Sequence, residues 1–241
     1  MGTPQQKGLM PEAEANDAIV LHEIPGCLVI RYPDSTVVKK GRRVTLYEGR
    51  ALELAAQLKL PVLHLHEAQK EGEDGEGLIR MDFIHGERLN LVWGNMAMEE
   101  KDSICQQLQR VLIAMRSVPW ETGFIRSCSG GPARDCRQYT DYSNGPYKDE
   151  ATFNMSFYFD LVKTTPESIC SALSKQLCNN HRIVFSHNGQ VTGLLDWEYA
   201  GWYPEHWDYI KFFERPCKYR DWKDHASLIF PQVYESELAY H

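Results

Sequence analysis

The spacing of apolar positions changes several times along the 241 residues, and each change marks an element. Cys27 to Tyr32 and Ser35 to Lys39 are rich in Val, Ile, Leu and Tyr, with Pro33-Asp34 between them. This predicts two strands joined by a tight turn. From Arg50 to Leu60 the period lengthens: Ala51, Leu52, Ala55 and Leu58 share a helical face, and Pro61 blocks continuation. The acidic, glycine-rich Gly72 to Gly77 reads as a loop before an apolar strand, Leu78 to Ile84, which His85-Gly86 ends. Between Glu99 and Val118, Ile104, Leu108, Val111, Leu112, Met115 and Val118 recur at steps of three and four, and Pro119 closes the run. This is the strongest helical signal in the chain.

Gly123 to Gly145 is dense in Gly, Ser, Arg and Asp, which predicts a surface excursion or binding loop. Helical spacing resumes over Asp149 to Lys163, with Phe153, Phe157 and Leu161 on one face. Ile183 to His187 and Gln190 to Leu195 flank Asn188-Gly189, a pair suited to a two-residue turn, so a hairpin is expected. It leads into Asp196-Trp197-Glu198-Tyr199-Ala200-Gly201-Trp202-Tyr203-Pro204-Glu205. Residues 1–17, with Pro4, Pro11 and several Gln and Glu, read as a flexible tail.

With 43% hydrophobic and 24% charged residues, the chain has the composition of an ordinary globular protein, and its length allows one large domain or two small lobes. Lys plus Arg number 26 against 33 Asp plus Glu, a net charge of −7, which disfavours a broad nucleic-acid or anionic-membrane surface. A local phosphate site remains compatible with it. The seven cysteines are odd in number and form no Cys-x-x-Cys pair, so neither a zinc ribbon nor a disulfide framework is indicated. Met1 to Asp17 holds no apolar run of the signal-peptide kind, and no stretch approaches a membrane span, so a cytoplasmic location with reduced thiols is expected.

Candidate chemistry follows. Asp196, at the end of an apolar strand, is placed to hold a divalent cation, or simply to cap the turn. Lys39 ends another apolar strand nine residues before Glu48, a spacing that suggests an ion pair presenting an ammonium to phosphate. Within the run Lys39, Lys40, Arg42, Arg43 it equally reads as one of several solvated charges. His64 and His66 alternate on a short apolar segment and suit a metal. With no third ligand nearby in the sequence, they read as two surface or half-buried histidines. A Ser186, His187, Asp196 hydrolase lacks the Gly-x-Ser-x-Gly elbow, and Ser186 and His187 are adjacent on a strand, with side chains facing opposite ways. The aromatic residues from Trp197 to Tyr209 are better explained by packing than by stacking on a ligand.

In order, these pieces resemble the aminoglycoside phosphotransferase and choline kinase family, most closely its fungal branch. The hairpin with Val37-Val38-Lys39, the helix with Glu48, the segment Met81-Asp82-Phe83-Ile84-His85-Gly86-Glu87 and the late Gly193-Leu194-Leu195-Asp196-Trp197-Glu198-Tyr199-Ala200-Gly201 carry the likeness, with Arg116-Ser117-Val118-Pro119 and Asp221-Trp222-Lys223. The resemblance implies an α+β, two-lobed protein-kinase-like fold, with a β-rich N-lobe at 18–84 and a mainly helical C-lobe at 85–241. It implies ATP and magnesium as cofactors. Lys39 would contact the phosphates, Glu48 would orient it (Glu53 lies in the same helix), Met81, Phe83 and Ile84 would line the adenine linker, and Asp196 would chelate magnesium.

One departure bears on activity. The family carries His-Gly-Asp-x-x-x-x-Asn in its catalytic loop, the Asp serving as base and the Asn holding a second metal ion. Here Phe185-Ser186-His187 runs straight into Asn188-Gly189, and only nine positions separate His187 from Asp196. His187 is thus a remnant of the catalytic loop, shortened at 187–190. Neither Asn188, in the expected turn, nor Asp208, between Trp207 and Tyr209, reads as a replacement. The expectation is a small-molecule kinase homologue, catalytically impaired and pseudokinase-like. The alternative is an active ATP- and magnesium-dependent O-phosphotransferase acting on a hydroxylated metabolite in a biosynthetic or detoxification pathway. A natural pseudokinase and a shortened transcript both account for the gap. Expected partners are a small-molecule substrate or none, with a protein partner for a pseudokinase and neither nucleic acid nor membrane.

Overall fold

The computed structural model describes residues 17–72, 75–120, 122–137, 140–154, 183–185 and 189–239. They form two compact units, one built from the chain up to Leu46 together with His64–Phe83, the other from Tyr47–Leu63 and Ile84 onward.

The first unit is an antiparallel sheet of β1 (Ile19–Ile24), β2 (Cys27–Arg31), β3 (Thr36–Gly41), β4 (Leu65–Glu71) and β5 (Glu76–Asp82), in the order β1-β2-β3-β5-β4. Being central, β3 is covered on both faces, and Thr36, Val37, Val38 and Lys39 are all buried. In β5 the alternation is regular, with Gly77, Ile79 and Met81 inward. The expected β2–β3 turn forms at Pro33-Asp34-Ser35. The Asp34 carboxylate accepts the Thr36 amide at 2.9 Å and its hydroxyl at 2.7 Å, and pairs with Arg80 at 2.6 Å. These bonds, the Thr36 hydroxyl first, hold the Asp34 carboxyl below the usual carboxylate range. The edge strand β1 carries no burial signature, since Ile19 and Val20 are each 55% exposed. β5 ends at Asp82, two residues short of the expected strand end: the Phe83 amide still donates in register to the Ser35 carbonyl at 2.8 Å, but Ser35, at φ +61°, gives its own amide to the Tyr32 carbonyl in the β2–β3 turn.

In the second unit, α1 spans Tyr47–Gln57, starting ahead of the expected Arg50 because Glu48 and Gly49 are already buried in its first turn. After β6 (Glu87–Arg88) and the short α2 (Leu89–Val92), α3 runs over Met98–Arg116. The Glu100 carboxylate accepts the Ala97 amide at 2.9 Å at its start. Ile104, Cys105, Leu108 and Leu112 form its buried face, packed with Trp93, Tyr209, Ile229 and Phe230. Asp221 latches the C-terminal segment onto this core. One of its oxygens lies 2.8 Å from the Lys101 ammonium and accepts the Trp93 indole N–H at 3.1 Å.

The segment Gly123 to Gly145 is not a surface excursion: it supplies β7 (Arg126–Ser127), β8 (Ala133–Arg137) and β9 (Thr140–Asn144). Ile125, Ala133, Arg134 and Asp135 are buried. The misreading arises because a polar residue can be interior once the protein supplies its partners. Phe153 is fully buried, with its ring against Tyr147 and Trp207, and 150–154 is helical. The rest of the helix expected to Lys163, with Phe157 and Leu161, lies outside the described residues.

β10 (Ile183–Phe185) and β11 (Val191–Leu194) pair antiparallel, with Ile183 opposite Leu194 and Phe185 opposite Val191, as the Asn188-Gly189 signal predicts. Gly189 has φ +77°. The Gln107 side chain braces this hairpin, donating to the Gly189 carbonyl at 2.8 Å and accepting the Val191 amide at 2.9 Å. β10 also pairs with β6, and β12 (Gly201–Trp202) with β7. Short helices at Trp207–Glu214, Asp221–Asp224, Ala226–Ile229 and Glu235–Ala239 complete the unit. No helix among the described residues is long and apolar enough to cross a membrane.

A Cβ at Gly201 would stand 2.3 Å from the Arg126 carbonyl oxygen. Gly201→Ala therefore forces β12 off β7 and is expected to cost about 1–3 kcal/mol, read as a lower midpoint in urea denaturation.

Candidate functional site

Lys39 lies in β3 between Val29 of β2 and Ile79 of β5 and is 9% exposed. Its neighbours in the basic run, Lys40, Arg42 and Arg43, are exposed, so Lys39 is set apart from the solvated charges. An ammonium buried this far requires anionic compensation. Met81 is buried in β5 between Val37 and Leu65. The Phe83 amide is committed to Ser35, and the Arg31 guanidinium covers the Phe83 ring at 4.0 Å. In the expected adenine linker, the Phe83 amide is therefore already engaged by the sheet.

Glu48, Ile84 and Asp196 belong to the second unit. Asp196 follows β11 with φ 70° and ψ 60°, the left-handed region that costs a non-glycine residue on the order of 1–2 kcal/mol. Its surroundings hold it there. The Trp197 indole N–H donates to the Leu194 carbonyl at 2.8 Å, and the Leu194 amide donates to the Pro61 carbonyl at 2.9 Å. The 3-10 turn Trp197–Tyr199 packs on α1, the helix that carries the buried Glu48. The structure thus brings Glu48 and Asp196 onto adjoining elements. Ile84 lies over Gly193, where a Cβ would sit 2.1 Å from its Cδ1. His187 and Ser186 lie outside the described residues.

Asp196 lines a cavity of about 680 Å³ inside the second unit. Leu108, Leu112, Trp207 and Phe230 form apolar wall, and Arg134, Asp135, Lys211 and Arg215 add charge. Arg134 is 5% exposed, and its guanidinium lies 5.4 Å from the ring centroids of both Tyr47 and Tyr199 while Nη1 donates to the Glu198 carbonyl at 3.1 Å. Its backbone is clamped by Tyr203, whose hydroxyl accepts the Arg134 amide at 2.9 Å and donates to the Arg134 carbonyl at 2.6 Å. Burial pushes this phenol well above the ordinary tyrosine range. The Lys211 ammonium lies 2.9 Å from Asp135, 2.7 Å from Glu214 and 4.6 Å above the Trp207 ring. Burial lowers the affinity of the Arg215 guanidinium for its proton, opposed by Asp135, Tyr199, Asp196 and Glu214. The Nε of Arg215 is buried with no hydrogen-bond acceptor among the described residues.

Sequence reasoning missed Arg134, Asp135, Lys211 and Arg215; their one signal was the placement of Arg134-Asp135 in a segment marked as a possible binding loop. Asp208 also lines the cavity, half-exposed and 3.9 Å from Arg116. The donors suit magnesium delivered on a phosphate. Asp196 offers a carboxylate on a rigid turn, Asp135 a second in the same cavity, and magnesium asks for only one or two alongside phosphate oxygens.

Tyr203→Phe removes both partners of the Arg134 backbone at a buried position and is expected to destabilise the fold by about 1–3 kcal/mol, measured by chemical denaturation. Lys223, on the cavity wall 4.5 Å from the Phe212 ring centroid, is pulled down to about 8 by burial, with Arg215 adding to the shift and Cys217 opposing it. The folded chain releases this proton before the unfolded chain, whose lysine titrates near 10.5, so stability rises with pH between those values. Lys223→Met is expected to raise the melting temperature at pH 7, by an increment that shrinks as the pH approaches 10; an increment independent of pH contradicts the assignment.

No protein-family model and no curated protein matches the chain. Solved structures do. A thermostable mutant of aminoglycoside phosphotransferase APH(4)-Ia in ternary complex with AMP-PNP and hygromycin B superposes with a TM-score of 0.56 at 12% identity, covering 82% of this chain and 72% of that one. The GDP and kanamycin complex of APH(2")-IIia gives 0.58 at 13%, covering 93% and 80%. The GDP complex of wild-type aminoglycoside 2'-phosphotransferase-IIIa gives 0.56 at 14%, covering 89% and 82%. The antiparallel sheet followed by a mainly helical part is thus the kinase-like α+β fold seen in aminoglycoside phosphotransferases.

Proposed function

We propose that this chain is a small-molecule kinase homologue of the aminoglycoside phosphotransferase type that binds ATP with magnesium and is impaired in phosphoryl transfer. Lys39 holds the nucleotide phosphates and Glu48 orients it. The Met81–Ile84 segment meets adenine through backbone groups other than the Phe83 amide, and Asp196 holds magnesium. Bound magnesium would neutralise charge building on the phosphates. The αL turn at Asp196 supports this role, since local strain retained beside a cavity is a mark of functional sites. So do the nucleotides in the similar structures, AMP-PNP in one and GDP in two others.

The observation that carries the impairment is the length of the β10–β11 connection. Only residues 186–190 join Phe185 to Val191, and β11 then runs directly towards Asp196. A base and a second metal ligand in the order His-Gly-Asp-x-x-x-x-Asn need a longer segment there. Positioning and charge stabilisation supply most of phosphoryl-transfer catalysis, so their loss costs several powers of ten in rate.

Calorimetry of ATP binding with and without magnesium tests the first half. Binding is expected to require magnesium and to weaken at least about 10-fold in Lys39→Ala and Asp196→Asn, the asparagine being chosen because it tolerates the αL backbone. Absence of binding by the folded protein overturns the assignment. For the second half, turnover with kanamycin or hygromycin B, ligands of similar structures, is expected to stay far below the roughly 1–100 per second of working kinases. A rate within that range refutes the impairment.

A further inference from the structure

Beside the pair His64 and His66 the structure places a third ligand, which no local sequence pattern announces. β4 and β5 are antiparallel with Leu65 opposite Met81, and the Asp82 amide donates to the His64 carbonyl at 3.0 Å, so His64 and Asp82 face each other across the strand pair. The register then slips, Glu67 lying opposite Arg80, which leaves His66 as the extra residue of a bulge. A bulge re-aims the side chain it carries. Here His66 points at Asp82, with Nε2 2.6 Å from Oδ1. The two imidazoles meet edge to face with ring centroids 4.8 Å apart, and one ligand atom from each of the three residues falls within 4.8 Å of the other two. Among the described residues no other group of His, Cys, Asp and Glu meets this arrangement.

We propose that His64, His66 and Asp82 bind a divalent transition-metal ion of the zinc class. Two imidazoles and a carboxylate match the chemistry of such ions, whereas magnesium and calcium prefer oxygen donors alone. In a tetrahedral zinc site with bonds of about 2.0–2.1 Å, neighbouring ligand atoms stand roughly 3.3 Å apart. The His66–Asp82 contact opens slightly and His64 closes in, through side-chain torsions alone. Both histidines are exposed and the Asp82 side chain is 50% exposed, so the movement is unhindered and the fourth position falls to water. The ion takes the Nε2 lone pair of the neutral His66 imidazole, whose N–H then sits on Nδ1, and the Asp82 carboxylate turns from His66 to the ion. All three ligands belong to the sheet unit, and the site uses the Asp82 side chain, whereas the nucleotide reading uses backbone groups of Met81–Ile84, so each is tested without the other.

The test is a cobalt(II) titration of the full chain, kept reduced with a phosphine, followed by displacement with zinc. The expected result is one equivalent bound, with visible d–d bands of nitrogen and oxygen coordination and no thiolate charge-transfer band. Affinity should fall at least about 10-fold in each of His64→Ala, His66→Ala and Asp82→Ala and stay unchanged in Cys217→Ser, which removes the one cysteine exposed among those described. Imidazole nitrogen resonances of the wild-type chain provide a readout that needs no variant, and those of His64 and His66 should shift with zinc. A thiolate band, affinity indifferent to His66→Ala, unshifted His64 and His66 resonances, or no saturable binding below about 1 mM would each overturn the proposal.

Discussion

The left-handed backbone of Asp196 is the constraint around which the second unit is arranged. An L-residue with a Cβ enters that region only when its flanks leave no better choice. Here β11 fixes the approach through its pairing with β10 and through the Leu194 amide on Pro61. Trp197 folds back onto Leu194, Tyr199 closes over Arg134, and Gly201 lets the chain leave along β7. Each contact restricts the same few torsions, so their energies combine on one residue. The carboxylate is consequently delivered into the cavity by backbone geometry.

Charge in the cavity is organised by mutual compensation. Arg134, Lys211 and Arg215 stand among Asp135, Asp196 and Glu214, with the aromatic rings of Tyr47, Tyr199 and Trp207 screening them from bulk water. Arg88, Lys218 and Lys223 also line the cavity, against Asp208, so basic side chains outnumber acidic ones there. The excess of positive charge favours an anionic group such as phosphate over a simple cation.

Legibility from sequence followed the range of the interaction that decided each element. β2, β3 and α3 were readable because periodicity within a dozen residues encodes them, and the β10–β11 hairpin because Asn188-Gly189 is a local turn signal. Arg134 and Asp135 were misjudged because their partners, Tyr203, Glu198 and Lys211, lie more than sixty residues away. Lys39 could not be separated from Lys40 by composition, since the distinction is where along β3 the burial on both faces ends, between the two lysines. Asp82 was visible only as part of a linker, although strand register makes it the neighbour of His64. The position of Asp196 after a strand and of Glu48 ahead of a helical run was legible, while the turn geometry and the cavity around Asp196 were not.

Gln107 ties the β10–β11 hairpin to α3. With its amide donating to Gly189 and its carbonyl oxygen accepting from Val191, this one side chain meets two backbone groups two residues apart where the chain enters β11, as the edge of a further strand would. The start of β11, and through it the approach to the Asp196 turn, is thereby referenced to the long core helix whatever the length of chain ahead of Gly189.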